Sequence, residues 1–184
     1  MIHNTTIENK DYILERCLQT CTEMLQDRGC THIERHPNLT ECIESGEPCL
    51  RGRGLNKINV IFHNEDRVGV KIVRQLKENS NVDTNIIVST EGPTTFTRKE
   101  IEDGTIQFFT FREVSLNITK HAIVPKHELV RETLPWSLSE LPKIVYTDPI
   151  VMYYNFPIGS VVKITRILGA HEPQIYYRVV VANI

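Results

Sequence analysis

Four prolines, Pro135, Pro142, Pro149 and Pro157, fall at nearly even intervals through the last third of the chain. A proline inside a helix removes a backbone hydrogen bond and collides with the preceding turn, so this spacing forbids a long helix there. Short elements joined by turns are left, and two β-rich runs close the chain, Ser160-Val-Val-Lys-Ile164 and Ile175-Tyr-Tyr-Arg-Val-Val-Val181. The turn-prone Gly169-Ala-His-Glu-Pro173 separates them, and they are expected to pair as a terminal hairpin. Asp148 is biased away from helical conformation by the proline after it and can cap a helix from Pro149 to Tyr154. Ahead of the prolines, Thr119 to Leu129 is polar and carries two histidines.

The earlier part of the chain obeys a different pattern. Tyr12, Ile13, Leu14, Cys17, Leu18, Cys21, Met24 and Leu25 recur at three- and four-residue spacing, which predicts an amphipathic helix. Asn9 or Asp11 can cap its start, and Gly29 can close it in the left-handed conformation. From Thr31 to Leu55 periodicity disappears, and Pro37, Gly46, Pro48, Gly52 and Gly54 predict a long irregular segment. Ile58 to Phe62 then reads as a strand, Val68 to Leu76 as a helix and Ile86 to Val88 as a second strand. Thr97-Arg-Lys-Glu100 has the form of a capping box and would start a short helix before the strand Ile106 to Phe109. The fold class expected is α+β or α/β. A helix-covered mixed sheet occupies residues 1–117, and a small mixed α/β domain ending in the hairpin occupies residues 118–184.

Charge narrows the function classes. Up to Asn117 there are fourteen Lys and Arg against eighteen Asp and Glu, and after it seven against five, giving −4 and +2 within a total of −2. A domain of net negative charge is a poor free-standing DNA-binding module, so any contact with nucleic acid must be local. No apolar run approaches the roughly 20 residues that cross a bilayer, and the first eleven residues lack the apolar stretch of a signal peptide. The protein is therefore expected to stay where it is made or to enter a nucleus, without a membrane partner. Cys17, Cys21, Cys30, Cys42 and Cys49 are odd in number and have no framework spacing, which fits a reducing compartment. Cys17 and Cys21 read as small core residues. The sequons at Asn4, Asn38 and Asn117 read as chance matches.

His121-Ala-Ile-Val-Pro-Lys-His127, Leu141-Pro-Lys-Ile144, Thr147-Asp-Pro149, Gly159-Ser-Val-Val-Lys-Ile-Thr-Arg166 and Tyr177-Arg178 occur in one fixed order. That order resembles the fifth subunit shared by eukaryotic RNA polymerases I, II and III, whose carboxyl-terminal domain corresponds to a small archaeal polymerase subunit. Met24-Leu-Gln-Asp-Arg-Gly29, Val68-Gly-Val-Lys71 and Phe111 to His121 match the family more loosely, and Cys30 to Leu55 finds no counterpart. The resemblance implies a non-catalytic subunit with no cofactor, joined to the largest polymerase subunit and to other polymerase subunits. Its assembly surface would carry His121, Val124, Pro125, His127, Leu141, Pro142, Asp148, Pro149, Gly159, Val162, Lys163, Arg166, Tyr177 and Arg178. For the larger domain the resemblance implies a place in the jaw beside downstream duplex DNA. There Gly92-Pro-Thr-Thr95 stands in place of the family's Thr-Pro-Ser-Ala. Pro93, Thr94, Thr95, Arg98 and Lys99 would make weak, sequence-independent phosphate contacts. Arg51, Arg53 and Lys57 form a second basic patch, and such a glycine-spaced loop is usually solvated.

Two departures suggest a divergent lineage, with a large DNA virus that encodes its own polymerase as the first expectation. Glu128 to Glu140 is shorter than the family's helical segment, and Leu168-Gly-Ala-His-Glu172 replaces its Ser-Glu-Thr. Localisation would then be a viral factory or virion, and otherwise the nucleus. Two rival readings are weaker. Cys30, His32, His36, Cys42 and Cys49 supply zinc-type donors but not two close ligand pairs. A metal-dependent nuclease would need clustered carboxylates beside a lysine, and only Glu65 and Asp66 follow the strand at Ile58 to Phe62.

Overall fold

The computed structural model describes residues 3–63, 67–79, 81–101, 104–132, 134–167 and 172–182. Two compact units divide the chain, Met1–Leu116 and Asn117–Ile184.

The first unit is built on five strands: β1 (Cys30–Arg35), β2 (Leu50–Gly54), β3 (Ile58–Phe62), β4 (Thr84–Ser89) and β5 (Ile106–Thr110). They lie side by side in chain order. β1, β2 and β3 are antiparallel, whereas β3, β4 and β5 run parallel through helical crossovers, so the sheet is mixed. Its helices are α1 (His3–Asp27), α2 (Leu39–Ser45), α3 (Val70–Asn79), α4 (Thr95–Glu100) and α5 (Phe111–Val114). Every residue of β4 is buried, which is why its sequence does not alternate. Over one face, Val73, Ile72 and Leu76 of α3 pack with Val68 and Ile101 onto Ile87, Ile106 and Phe108. α1 packs against β1, β2 and α5, and burying Cys17, Leu18, Cys21, Met24 and Leu25 accounts for its apolar stripe. Gly29, at φ +88°, closes α1 as expected, its N–H donating to the Gln26 carbonyl at 2.9 Å. The start differs: α1 begins at His3, so Asn9 and Asp11 lie inside it.

The segment expected to be irregular, Thr31 to Leu55, holds β1, α2 and β2. Most of β1 is exposed or half-buried, so it shows no apolar alternation. Asn38 caps α2 by accepting from the Glu41 N–H, and Gly46 at φ +73° closes it. In β2, a Cβ on Gly52 would meet Cys30 Sγ at 2.7 Å, and one on Gly54 would meet the Gly29 carbonyl oxygen at 2.3 Å. The residues that read as breakers are thus caps and close-approach glycines. A second correction concerns α4, which is capped by Thr94 and not by Thr97. The Thr97 hydroxyl is buried and donates to the Val68 carbonyl at 3.0 Å, so it ties α4 to the start of α3.

The second unit contains β6 (Lys126–Leu129), β7 (Lys143–Val145), α6 (Pro149–Tyr154), β8 (Val161–Arg166) and β9 (Gln174–Val181). The expected hairpin forms, with Ile164 opposite Tyr176 and Val162 opposite Arg178, although Leu168 to His171 of its connection lie outside the described residues. It occupies the centre of a four-stranded sheet ordered β6-β8-β9-β7, with β6 antiparallel to β8 and β7 parallel to β9. β6 and β7 are short, and half-buried at best, so neither is visible as an apolar run. α6 spans the expected residues. Asp148 accepts from the N–H groups of Ile150 at 2.9 Å and Val151 at 3.4 Å, Pro149 opens the helix, and Asn155 at φ 54° closes it. Below α6, Val151 and Phe156 pack on Val162, Ile164 and Val180. Asp148→Ala should lower the stability of this unit by about 1 kcal/mol, the usual worth of an N-cap, read as a lower urea midpoint.

Candidate assembly surface

Strand pairing puts alternate residues of β8 and β9 on a common face, so Val162, Ile164 and Arg166 share theirs with Arg178, Tyr176 and Val180. His127 of β6 and Ile144 of β7 join the same face through their partners Ile164 and Val180. α6 covers one end of it, burying Val162 and Val180 completely. The other end stays open as a depression of about 510 Å³, lined by Ile144, Ile164, Tyr176, Arg166, Arg178 and His127 from the sheet, by Asp148 and Ile150 at the start of α6, and by Val124 and Pro125.

Two arginines therefore stand in a largely apolar hollow. Arg178 donates to the Lys143 carbonyl at 3.1 Å. Arg166 is exposed and makes no hydrogen bond or ion pair with any described residue. Asp148, the one carboxylate on the rim among the described residues, has its Oδ1 committed to the helix N–H groups. His127 Nδ1 lies 2.7 Å from the Pro125 carbonyl, which only accepts, so Nδ1 carries a proton and the ring orientation is fixed. The arrangement suits a partner offering apolar side chains and a carboxylate, since an arginine fork in a partly dry site pairs well with one.

Of the sequence-derived candidates, Val124, Pro125, His127, Asp148, Arg166 and Arg178 meet in this depression. Lys163 and Tyr177 pair across the hairpin on the opposite face, where the Trp136 ring packs 5.4 Å from Tyr177. His121 is exposed; its ring Nδ1 accepts a long hydrogen bond from the Ile123 N–H at 3.4 Å, while its carbonyl accepts from the Val124 N–H at 2.9 Å. Leu141 and Pro142 lead into β7, and the Pro142 carbonyl accepts from the Val179 N–H. Pro149 begins α6, and Gly159 holds φ +85° in the turn before β8. Val162 is wholly buried, so it supports the surface from below and presents nothing to a partner. Ile144, Ile150, Ile164 and Tyr176 were not among the candidates. The alternation of β8 and β9 carried the signal for two of them, once the hairpin register is drawn.

In the first unit, Pro93 to Thr95 follow the carboxyl-terminal end of β4. Thr94 Oγ1 is used by the cap, while Thr95, Arg98 and Lys99 are exposed. Arg98 Nε donates to the Pro93 carbonyl at 3.4 Å, and exposed Phe96 lies between the basic and hydroxyl residues.

The zinc-type donors do not converge. Cys30 Sγ packs against Gly52, His32 is exposed opposite Arg53, His36 is held at Asn38, and Cys42 neighbours Cys49 in the core. Among the described residues no group of three or more His, Cys, Asp or Glu is placed to hold a metal ion. Glu65 and Asp66, raised for a nuclease, lie outside the described residues. Burial pushes the Cys17 thiol up to about 11 against an ordinary 9.0. It also raises Cys42 to about 12, with the adjacent Cys49 adding to the effect. A proton held more tightly in the folded state means that this stability is present below the unfolded value and is lost as pH rises through it. The urea midpoint should therefore fall as pH rises from about 9 to about 12, and Cys17→Ala with Cys42→Ala should flatten that fall.

Apolar side chains and arginines arranged on a small sheet have the chemistry of a docking surface. Residues 116–180 match the family model described as RNA polymerase Rpb5, C-terminal domain. The chain is 26% identical to the Caenorhabditis briggsae protein named DNA-directed RNA polymerases I, II, and III subunit RPABC1, over 95% of this chain and 98% of that protein. It is 30% identical to DNA-directed RNA polymerase V subunit 5C of Arabidopsis thaliana, over 86% of this chain and 79% of the plant protein. With DNA-directed RNA polymerase subunit Rpo5 of Methanococcus maripaludis it shares 37% identity, over 37% of this chain and 97% of the archaeal one. The chain belongs to the Rpb5 family of RNA polymerase subunits.

Proposed function

We propose that the protein is a non-catalytic subunit of a DNA-dependent RNA polymerase, held on the largest subunit by residues 118–184, with residues 1–117 in the jaw beside downstream DNA. The observation that carries the anchoring is the hollow in which Arg166 and Arg178 stand among Ile144, Ile150, Ile164 and Tyr176. The isolated chain leaves Ile123, Trp136, Leu138, Ile167 and Tyr176 of this unit substantially exposed, which favours a permanent partner over a free existence. The active site then lies on other chains, and the protein works in the nucleus, or in a viral factory or virion where a virus encodes it.

Affinity purification from its native cell or infected host should recover the largest RNA polymerase subunits, and Arg166→Glu with Arg178→Glu should lose them. Their absence from the parent protein's eluate would sink the assignment. For the jaw, Arg98→Ala with Lys99→Ala should lower the salt dependence of elongation-complex stability by about one counterion per cation removed. No change in that slope would leave α4 as a capped surface helix.

A further inference from the structure

The first sheet carries a second polar site, on the face that α3 covers only in part. Gly52 of β2 points toward Leu25 of α1, so its neighbours Arg51 and Arg53 project from the opposite face. Arg51 pairs with Asn59 of β3, and Asn59 alternates with Ile61, which pairs with Ile87 under α3. Beyond the cover of α3 this face opens as a depression of about 430 Å³, where Asn79, Asn81 and Val82 approach Lys57 and the two arginines.

The charges there are poorly matched within the protein. Among the described residues, the Arg51 guanidinium, the Lys57 ammonium and the amides of Asn59, Asn79 and Asn81 make no hydrogen bond or ion pair. Glu34 lies 3.6 Å from Arg53, with both side chains largely exposed. Asp83 is engaged by the Lys57 backbone N–H at 2.7 Å. Among the described residues no carboxylate lines the depression.

We infer that this depression binds the phosphodiester backbone of a nucleic acid without reading its sequence. Arginine, lysine and asparagine are the side chains that contact phosphate oxygens, and they do so irrespective of base. Arg51 and Arg53, two residues apart on one strand face, are roughly 6.7 Å apart along the strand, comparable to the separation of neighbouring phosphates. An acidic peptide fits less well, because peptide grooves rely on apolar or aromatic anchors and Val82 is the only apolar side chain in the described lining. The site is distinct from Pro93 to Lys99: it lies where β3 and β4 begin, whereas that loop follows the end of β4.

The test uses the full chain in fluorescence anisotropy titrations with a thymidine oligonucleotide and with a mixed-sequence duplex, across a salt series. Arg51→Ala with Lys57→Ala should weaken binding roughly 10- to 100-fold near 0.1 M salt and lower the salt slope by about one per cation. The same loss should appear in a background carrying Arg98→Ala and Lys99→Ala, which separates this site from the jaw loop. The probe that loses affinity identifies single strand or duplex as the source of the phosphodiester. Arg51→Lys with Lys57→Arg should keep both affinity and slope, which a merely misfolded alanine variant would not explain. Absence of binding to either probe, an unchanged slope in the alanine variant, or tighter binding of polyglutamate than of either nucleic acid would overturn the inference.

Discussion

Gly54→Ala is expected to cost the first unit about 3 kcal/mol, a large part of the stability of an ordinary domain, and to lower its urea midpoint accordingly. The added Cβ would lie 2.3 Å from the Gly29 carbonyl oxygen, 2.9 Å from Cys30 Cα and 3.0 Å from the Thr31 nitrogen. All three are backbone atoms, so no rotamer change relieves the contact. They belong to the turn that ends α1 and to the first residues of β1, where the pairing of Cys30 with Gly54 is already irregular. At Gly52 the closest atom is the Cys30 thiol sulfur, which has some freedom to move, so Gly52→Ala should cost less. Gly92→Ala meets only the end of Arg98 at 3.8 Å and should fall within about 0.5 kcal/mol of the parent. Equal costs for all three substitutions would refute the close-approach account of β2.

Val162→Asp should unfold the second unit and abolish recovery of polymerase subunits, whereas Arg166→Glu with Arg178→Glu should abolish recovery alone. Val162 is completely buried beneath α6 between Val151 and Val180. A carboxylate there has no partner, and an uncompensated buried charge costs roughly 3–5 kcal/mol. The two arginines are exposed and their removal leaves the apolar core intact. Circular dichroism and a urea titration of each variant, read beside the purification, separate loss of fold from loss of contact. A Val162→Asp protein that stays folded would mean that α6 does not seal this core.

The elements legible in the sequence share one property: the information that forms them is local. α1 shows its apolar stripe, Asp148-Pro149 and Asn155 bracket α6, and the β-branched runs of β8 and β9 announce the hairpin. The ordered motifs from His121 to Arg178 were enough to place the chain in its family, because they are fixed in sequence whatever the fold around them. The cap of α4 lies three residues before the one its motif suggests, since Thr94 lacks an acidic partner three positions on and Thr97 has one in Glu100.

What the sequence alone could not determine depends on residues far apart in the chain. β6 is a polar tetrad, Lys126-His-Glu-Leu129, and becomes a strand only because β8, more than thirty residues later, offers its edge. Gly52 and Gly54 read as breakers until α1 and β1 are seen to press against them. The depression on the second unit, like the basic one on the first, has no continuous sequence signature. Each is assembled by pairing register, which decides whether a side chain such as Val162 faces a helix or one such as Arg166 lies exposed in the open hollow. Local propensity and motif order thus set the family and the main elements. Strand pairing and burial, which close long loops and can be judged only in three dimensions, set which residues form a surface.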